Sequence, residues 1–277
     1  THIAETSFEV ANMRSENGMP VVPFMKKNGL FEAKVLAAHC VHIDEGEMRS
    51  MQHSGSGIAH CPSSNLKLAS GIAPTKRMMD LGLNVGIGTD GPASNNDLDM
   101  FEELRLAAFL AKGSTGDPTA LPARTVLAMA TRLGAAAMHI GHLTGSLEEG
   151  KRDDLIIIDI SPHHNSPRFR RDAQGAYAQV VYAAKATDVS DVMVNGAWLM
   201  RSRKLLTVDE GEVLRGAADY AHKIDIFLLR RETSIVSKLV AIGGAMQAES
   251  FEIQAKIRIG CSDPVLDSLK KPDIEIL

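Results

Sequence analysis

The sequence predicts an α/β fold built on a parallel sheet, followed by a small β module. Three observations carry this. VLAAHCVH (35–42), GIAHCPSSN (57–65) and LNVGIGTDGP (83–92) are short, nearly continuous apolar runs that end in polar or glycine residues. Strands buried on both faces of a parallel sheet read as such runs. Amphipathic segments such as MPVVPFMKKNGLFEA separate them, giving a βα repetition, and beyond residue 150 the texture turns strand-rich.

Each element follows in order. The runs at 35–42, 57–65 and 83–92 are buried strands, and their polar last residues stand where a parallel α/β sheet carries its chemistry. From Asp99 a helical pattern runs through MFEELRLAAFLAK, and ARTVLAMATRLGAAAM (123–138) predicts a second helix. LIIIDI (155–160) is a strand, SPHHNSPRF a surface loop, and VSDVMVNGAWLM (189–200) two strands around the hairpin signal Asn195-Gly196. A helical pattern occupies Asp209 to Gly244, and the tail beyond it takes no assignment.

Composition narrows the function classes. With 277 residues, 44% hydrophobic and 23% charged, the chain reads as globular, and its formal net charge of -4 offers no basic stripe to nucleic acid. The Arg168–Arg171 cluster is short. Three unpaired-looking cysteines, Cys40, Cys61 and Cys261, favour a reducing, cytoplasmic setting, and no apolar run reaches the roughly 18 residues of a membrane span. Cys40 and Cys61 lack a partner at zinc spacing and read as small buried residues.

Polar residues fall at successive strand ends: His2, His39, His60 and Asp90, with Glu5 three residues beyond His2. A His/His/Asp set suits a divalent metal, because imidazole and carboxylate are ligands that Zn²⁺ and Fe²⁺ accept in open catalytic sites. Taken singly, a strand-end His is more often a packing residue, and His60 reads that way. His42, His53, His139, His142, His163, His164 and His222 read as surface or packing residues. No H-x-E with P-C-x-x-C is present, which excludes a cytidine-deaminase-type zinc site, and no HExxH, which excludes a zincin.

HIAET, AAHCVH, HCPSSNLKLASGIAP, GTDGPASNNDLDMFEELR and GSLEEGKRDDLIIID stand in this order. In wording and approximate spacing they resemble the amidohydrolase superfamily, in the branch of 5-methylthioadenosine/S-adenosylhomocysteine deaminases and ATZ/TRZ-type hydrolases. The resemblance covers residues 1 to about 200. It implies a (β/α)₈ TIM-type barrel with a small β-sandwich, of which this chain holds strands 5–8 and part of the sandwich. The implied domains are 1–145 for the C-terminal half of the barrel, 146–208 for the sandwich portion, and 209–277 for a helical segment and tail.

The resemblance also implies roles. His2 and Asp90 become ligands of one divalent metal, Zn²⁺ first and Fe²⁺ second. Asp90 is also the base for the attacking water, Glu5 passes a proton to the substrate ring, and His39 orients the water and stabilises the developing oxygen; Glu5 and His39 contact substrate. Ser63 to Pro74 resembles a loop that shapes the substrate pocket. The family further needs an HxH pair, and none occurs among the ten histidines. The expectation is therefore a longer functional protein whose N-terminal half supplies two ligands; its oligomeric state is not legible in the chain, and only the analogy of related enzymes, which are often oligomers, points to a homo-oligomer. Its implied reaction is hydrolytic deamination of an adenine-type nucleoside. The alternatives are a guanine, oxopurine or triazine hydrolase using the same groups, and a fragment without activity that serves as a binding module.

Overall fold

The computed structural model describes residues 1–167 and 175–231; the Arg168–Arg171 cluster, Cys261, the helical pattern beyond 231 and the tail lie outside the described residues. Two compact units divide the chain, Thr1–Asp209 and Glu210–Leu277.

The first unit opens with the expected βα alternation. β1 (His2–Ile3) leads to α1 (Ser7–Asn17) and α2 (Val21–Lys27), and β2 (Leu36–His39) to α3 (Glu45–His53). β3 (Gly57–His60) precedes α4 (Pro62–Lys67) and α5 (Thr75–Asp80), and β4 (Asn84–Ile87) precedes α6 (Pro92–Asn95), α7 (Met100–Thr115), α8 (Ala123–Met129) and α9 (Arg132–Ala137). The four strands form one parallel sheet in the order β1-β2-β3-β4. Helical crossovers make this order possible, since parallel neighbours cannot be joined by a tight turn. Ile3 pairs with His39 and His60 with Ile87, so the polar strand ends share one edge of the sheet.

Local signals set the helix ends. Thr6 Oγ1 accepts from Glu9 N at 3.1 Å to start α1, and Asp44 and Glu47 form a reciprocal capping box at α3. Asp99 caps α7, accepting from Phe101 N at 2.7 Å, and Gly116, at φ 67°, ends it. The core runs across all four strands through Ile3, Ala37, Ile58 and Val85, and helices close over it with Val21, Val22, Met51, Met78, Val126 and Met129.

Two expectations need correction. Residues 123–138 are not one helix: the chain turns at Ala130–Thr131, with Thr131 at φ -127°, ψ -106°. The physical reason is close packing of α9 on the sheet. A Cβ on Gly57 would stand 1.9 Å from Ala137 O, and one on Gly86 would stand 2.8 Å from Gly134 Cα. A straight helix continuing α8 could not follow that contact. Ser63–Pro74 is also not a loop throughout, because α4 extends to Lys67 with Pro62 at its first turn, where the missing N–H costs nothing.

The second sheet is antiparallel, with β5 (Leu155–Ile158), β6 (Val189–Val194), β7 (Ala197–Arg201) and β8 (Lys204–Leu205) in sequential order. Asn195 and Gly196 turn the β6–β7 hairpin at φ 50° and 75°, as a type I′ turn demands. α10 (Gly175–Tyr182) packs on α7 and α8, and Arg105 of α7 donates to Tyr182 O and Ala184 O at 3.1 and 2.9 Å. The described part of SPHHNSPRF, Ser161–Pro167, is mostly exposed, as expected of a surface loop. Asn165 and Asp188 are both buried, and His164 Nε2 lies 2.8 Å from Asp188 Oδ2.

The second unit contributes α11 (Glu210–Arg231). Among the described residues no helix is long and apolar enough to cross a membrane.

Candidate metal and catalytic site

The polar ends of β1, β2 and the segment after β4 converge. Ligand atoms of His2, His39 and Asp90 all lie within 4.8 Å of one another, and the rings of His2 and His39 stack with centroids 5.2 Å apart. Glu5 joins them, its Oε2 standing 3.7 Å from His39 Nε2. All four sequence-predicted site residues are thus together. Glu5, however, stands in the turn between β1 and α1 rather than on a helical turn, because Thr6 is the helix cap.

The backbone is bent to aim these groups. Ala4, His39 and Asp90 take positive φ values of 50°, 71° and 61°. A non-glycine residue there costs roughly 1–2 kcal/mol, and such strain concentrates at functional sites. Neighbouring groups hold the bends. The carboxylate of Glu9 accepts from Ala4 N and Glu5 N at 3.0 and 2.8 Å.

One segment, Ser64 to Ser70, supplies a partner to each of three site residues. Ser64 Oγ donates to Asp90 Oδ2 at 2.8 Å, Asn65 Oδ1 accepts from His39 Nδ1 at 2.8 Å, and Ser70 Oγ donates to Glu5 Oε1 at 3.3 Å. Ser94 Oγ adds a second hydroxyl to Asp90 Oδ2 at 2.6 Å. Burial alone would push Asp90 up, but the hydroxyls of Ser94 and Ser64 and the Gly91 N–H together hold it below the usual carboxylate range. With Nδ1–H donated to Asn65, His39 turns its other ring nitrogen, Nε2, to the site, where it is buried and has no hydrogen-bond partner among the described residues. Two imidazoles and one carboxylate, with the His39 Nε2 buried and unpartnered among the described residues, fit a divalent cation.

Sequence reasoning missed Asn65, Ser64 and Ser70 as individual residues, though it marked the segment that holds them. Ser94 carried no signal of its own, since a serine after a turn is ordinary. His60 is fully buried, neither ring nitrogen has a hydrogen-bond partner among the described residues, and burial, then the nearby His39, push its pKa down to about 4. Burial likewise pushes the Cys40 and Cys61 thiols up to about 12, so both are inert small core groups.

The chain is similar to known proteins over most of its length. The pattern of the amidohydrolase family matches residues 1–199. A 5-methylthioadenosine/S-adenosylhomocysteine deaminase of Desulforudis audaxviator is 47% identical over 223 residues, 80% of this chain and 51% of the relative. A 5'-deoxyadenosine deaminase of Methanosarcina acetivorans is 43% identical over 80% of this chain and 50% of its own length. Among solved structures, a zinc-bound adenosine deaminase from Xanthomonas campestris superposes with a TM-score of 0.77 at 37% identity, over 81% of this chain and 50% of that one. The zinc-bound atrazine chlorohydrolase of Arthrobacter aurescens gives 0.71 at 27% identity, over 79% and 47%. The chain spans about half the length of the curated relatives it matches. On the extent of that family match and the identity of these relatives, the chain belongs to the amidohydrolase family.

Proposed function

We propose that this chain is part of a zinc-dependent aminohydrolase that converts an adenine-type nucleoside, 5-methylthioadenosine or S-adenosylhomocysteine, to its inosine analogue and ammonia. The convergence of His2, His39, Asp90 and Glu5 at one sheet edge carries this reading. The names of the relatives supply the substrate class. On the same reading β1–β4 are barrel strands 5–8, residues 146–208 are a sandwich portion, and 209–277 are a helical segment and tail. Two further metal ligands come from outside residues 1–277, since no HxH pair occurs in it. The free thiols of Cys40 and Cys61 accord with a reducing cytoplasm.

His2 and Asp90 would hold the ion, with His39 Nε2 beside them. When bound, such an ion supplies Lewis acidity that makes water a usable nucleophile near neutral pH. The remaining chemistry belongs to side chains. Asp90, one oxygen of which is held by Ser64 and Ser94, takes the proton from the attacking water. Glu5, anchored by Ser70, delivers a proton to the ring nitrogen next to the carbon under attack. His39, pinned by Asn65, orients the water and stabilises the developing oxygen. Asp90 then passes its proton to the amino group, Glu5 takes the proton of the added hydroxyl as the carbonyl forms, and the C–N bond breaks to release ammonia.

The test is ammonia release from 5-methylthioadenosine and S-adenosylhomocysteine by the complete protein, with metal content measured by mass spectrometry. Release with about one equivalent of zinc is expected. Turnover of an oxopurine or a triazine in place of both nucleosides would redirect the substrate assignment. Tight binding of one metal and deamination by residues 1–277 alone would overturn the requirement for outside ligands.

A further inference from the structure

Glu103 lies in the first turn of α7, away from the strand ends, yet only 1% of it is exposed. A carboxylate is retained in such a place only with good partners. Its Oε2 accepts from Ser63 N at 3.1 Å, in the first turn of α4, and its Oε1 accepts from Asn95 Nδ2 at 2.7 Å, in α6. Asn95 is committed on its other side, Oδ1 accepting from Leu98 N at 2.8 Å, and its own N–H donates to Gly91 O at 3.0 Å. These two short helices carry Ser64 and Ser94, the two hydroxyls on Asp90 Oδ2. One buried carboxylate therefore ties together both arms that grip one oxygen of Asp90.

We propose that Glu103 is a positioning residue: by clamping α4 to the Gly91–Asn96 turn it fixes the Ser64–Ser94 fork and so the direction in which Asp90 presents its other oxygen to metal and water. This rests on the reading of Asp90 given above. The clamp requires a carboxylate at 103, because two N–H donors meet there and a glutamine has one acceptor oxygen. Glu103→Gln would set an amide N–H₂ against that of Asn95, which cannot turn over without depriving Leu98 N–H of its acceptor. The exchange Glu103→Gln with Asn95→Asp restores every bond. The introduced glutamine would accept from Ser63 N–H and donate to the introduced aspartate, whose second oxygen would take Leu98 N–H.

The experiment uses the zinc-loaded complete protein and compares Glu103→Gln, the Glu103→Gln/Asn95→Asp exchange, and Asp90→Asn. Readouts are kcat and KM for 5-methylthioadenosine and the rate of zinc loss to a chelator. Outer partners of metal ligands typically contribute roughly 10- to 100-fold in metal affinity or activity. Glu103→Gln is expected to lower kcat by about that factor with KM little moved, to speed zinc loss, and to be rescued by the exchange. Parental kcat and zinc retention in Glu103→Gln, or failure of the exchange to restore either, overturns the clamp. Should Glu103→Gln not fold, Asn95→Ala removes one arm only and must still lower kcat and speed zinc loss; parental values there overturn the proposal. Parental turnover in Asp90→Asn would sink the reading of the site and the clamp with it. An inactive Asp90→Asn beside an unaffected Glu103→Gln would sink the clamp alone.

Discussion

The two sheets of the first unit are both built from largely apolar strands but are used differently. In the parallel sheet, Ile3, Ala37, Ile58 and Val85 are fully buried, and the polar ends are gripped by residues far away in sequence, 26 for His39–Asn65 and 65 for Ser70–Glu5. In the antiparallel sheet, Ile156 and Ile157 point to opposite faces of β5, yet remain 50% and 46% exposed. Its side-chain contacts with other segments, such as Asn195 N to Asp154 Oδ1 at 2.6 Å, lie at its margins. A sheet covered by crossover helices has a rigid edge on which strained, polar residues can be held. Among the described residues the antiparallel layer is covered far less, with Ile158 and Val189 packing against the core.

The largest effect that would break this comparison is catalytic. Asp90→Asn in the complete protein should lower turnover roughly 10²- to 10⁴-fold, the range of general base catalysis, while circular dichroism stays unchanged. Near-parental turnover would remove the site from the parallel edge. Next comes the packing beneath that edge. Gly57→Ala would drive a methyl into Ala137 O at 1.9 Å and should cost about 3 kcal/mol in urea unfolding. A cost below about 1 kcal/mol would mean α9 is not seated on β3.

The antiparallel sheet offers the sharper contrast. If the complete protein covers it as a sandwich, Ile157→Ser should cost about 1–2 kcal/mol there through lost apolar burial. A change within about 0.5 kcal/mol would leave the layer uncovered. The smallest effect is electrostatic. Burial would raise Asp188, but hydrogen bonds from His164 and Lys185 N–H outweigh it and hold its pKa below the usual range. A depressed folded pKa stabilises above the unfolded value of about 3.9 and is lost as pH falls through the folded one. The stability gap between parent and Asp188→Asn should therefore be present at neutral pH and close below about pH 4. A gap independent of pH would show that Asp188 acts through shape alone.

Much of this was legible in residues alone. Continuous apolar runs can be buried only in a covered sheet, so β2, β3 and β4 stood out, and Asn195-Gly196 announced its hairpin because both residues tolerate positive φ. The site residues His2, Glu5, His39 and Asp90 were legible through their motifs. The break at Thr131 was not, because the apolar pattern of 123–138 continues across it and only the approach of Gly134 to Gly86 forces the turn.

By itself, then, the sequence determined the order of elements, the family to which the chain belongs and the residue types at the strand ends. These depend on local periodicity and on motifs read along the chain. Which groups hold those residues was decided by the tertiary structure alone. Ser64, Asn65, Ser70, Ser94 and Glu103 are ordinary polar residues in sequence. They become partners of the site because parallel strands joined by helices bring distant turns to one edge, where a buried polar atom must be hydrogen-bonded.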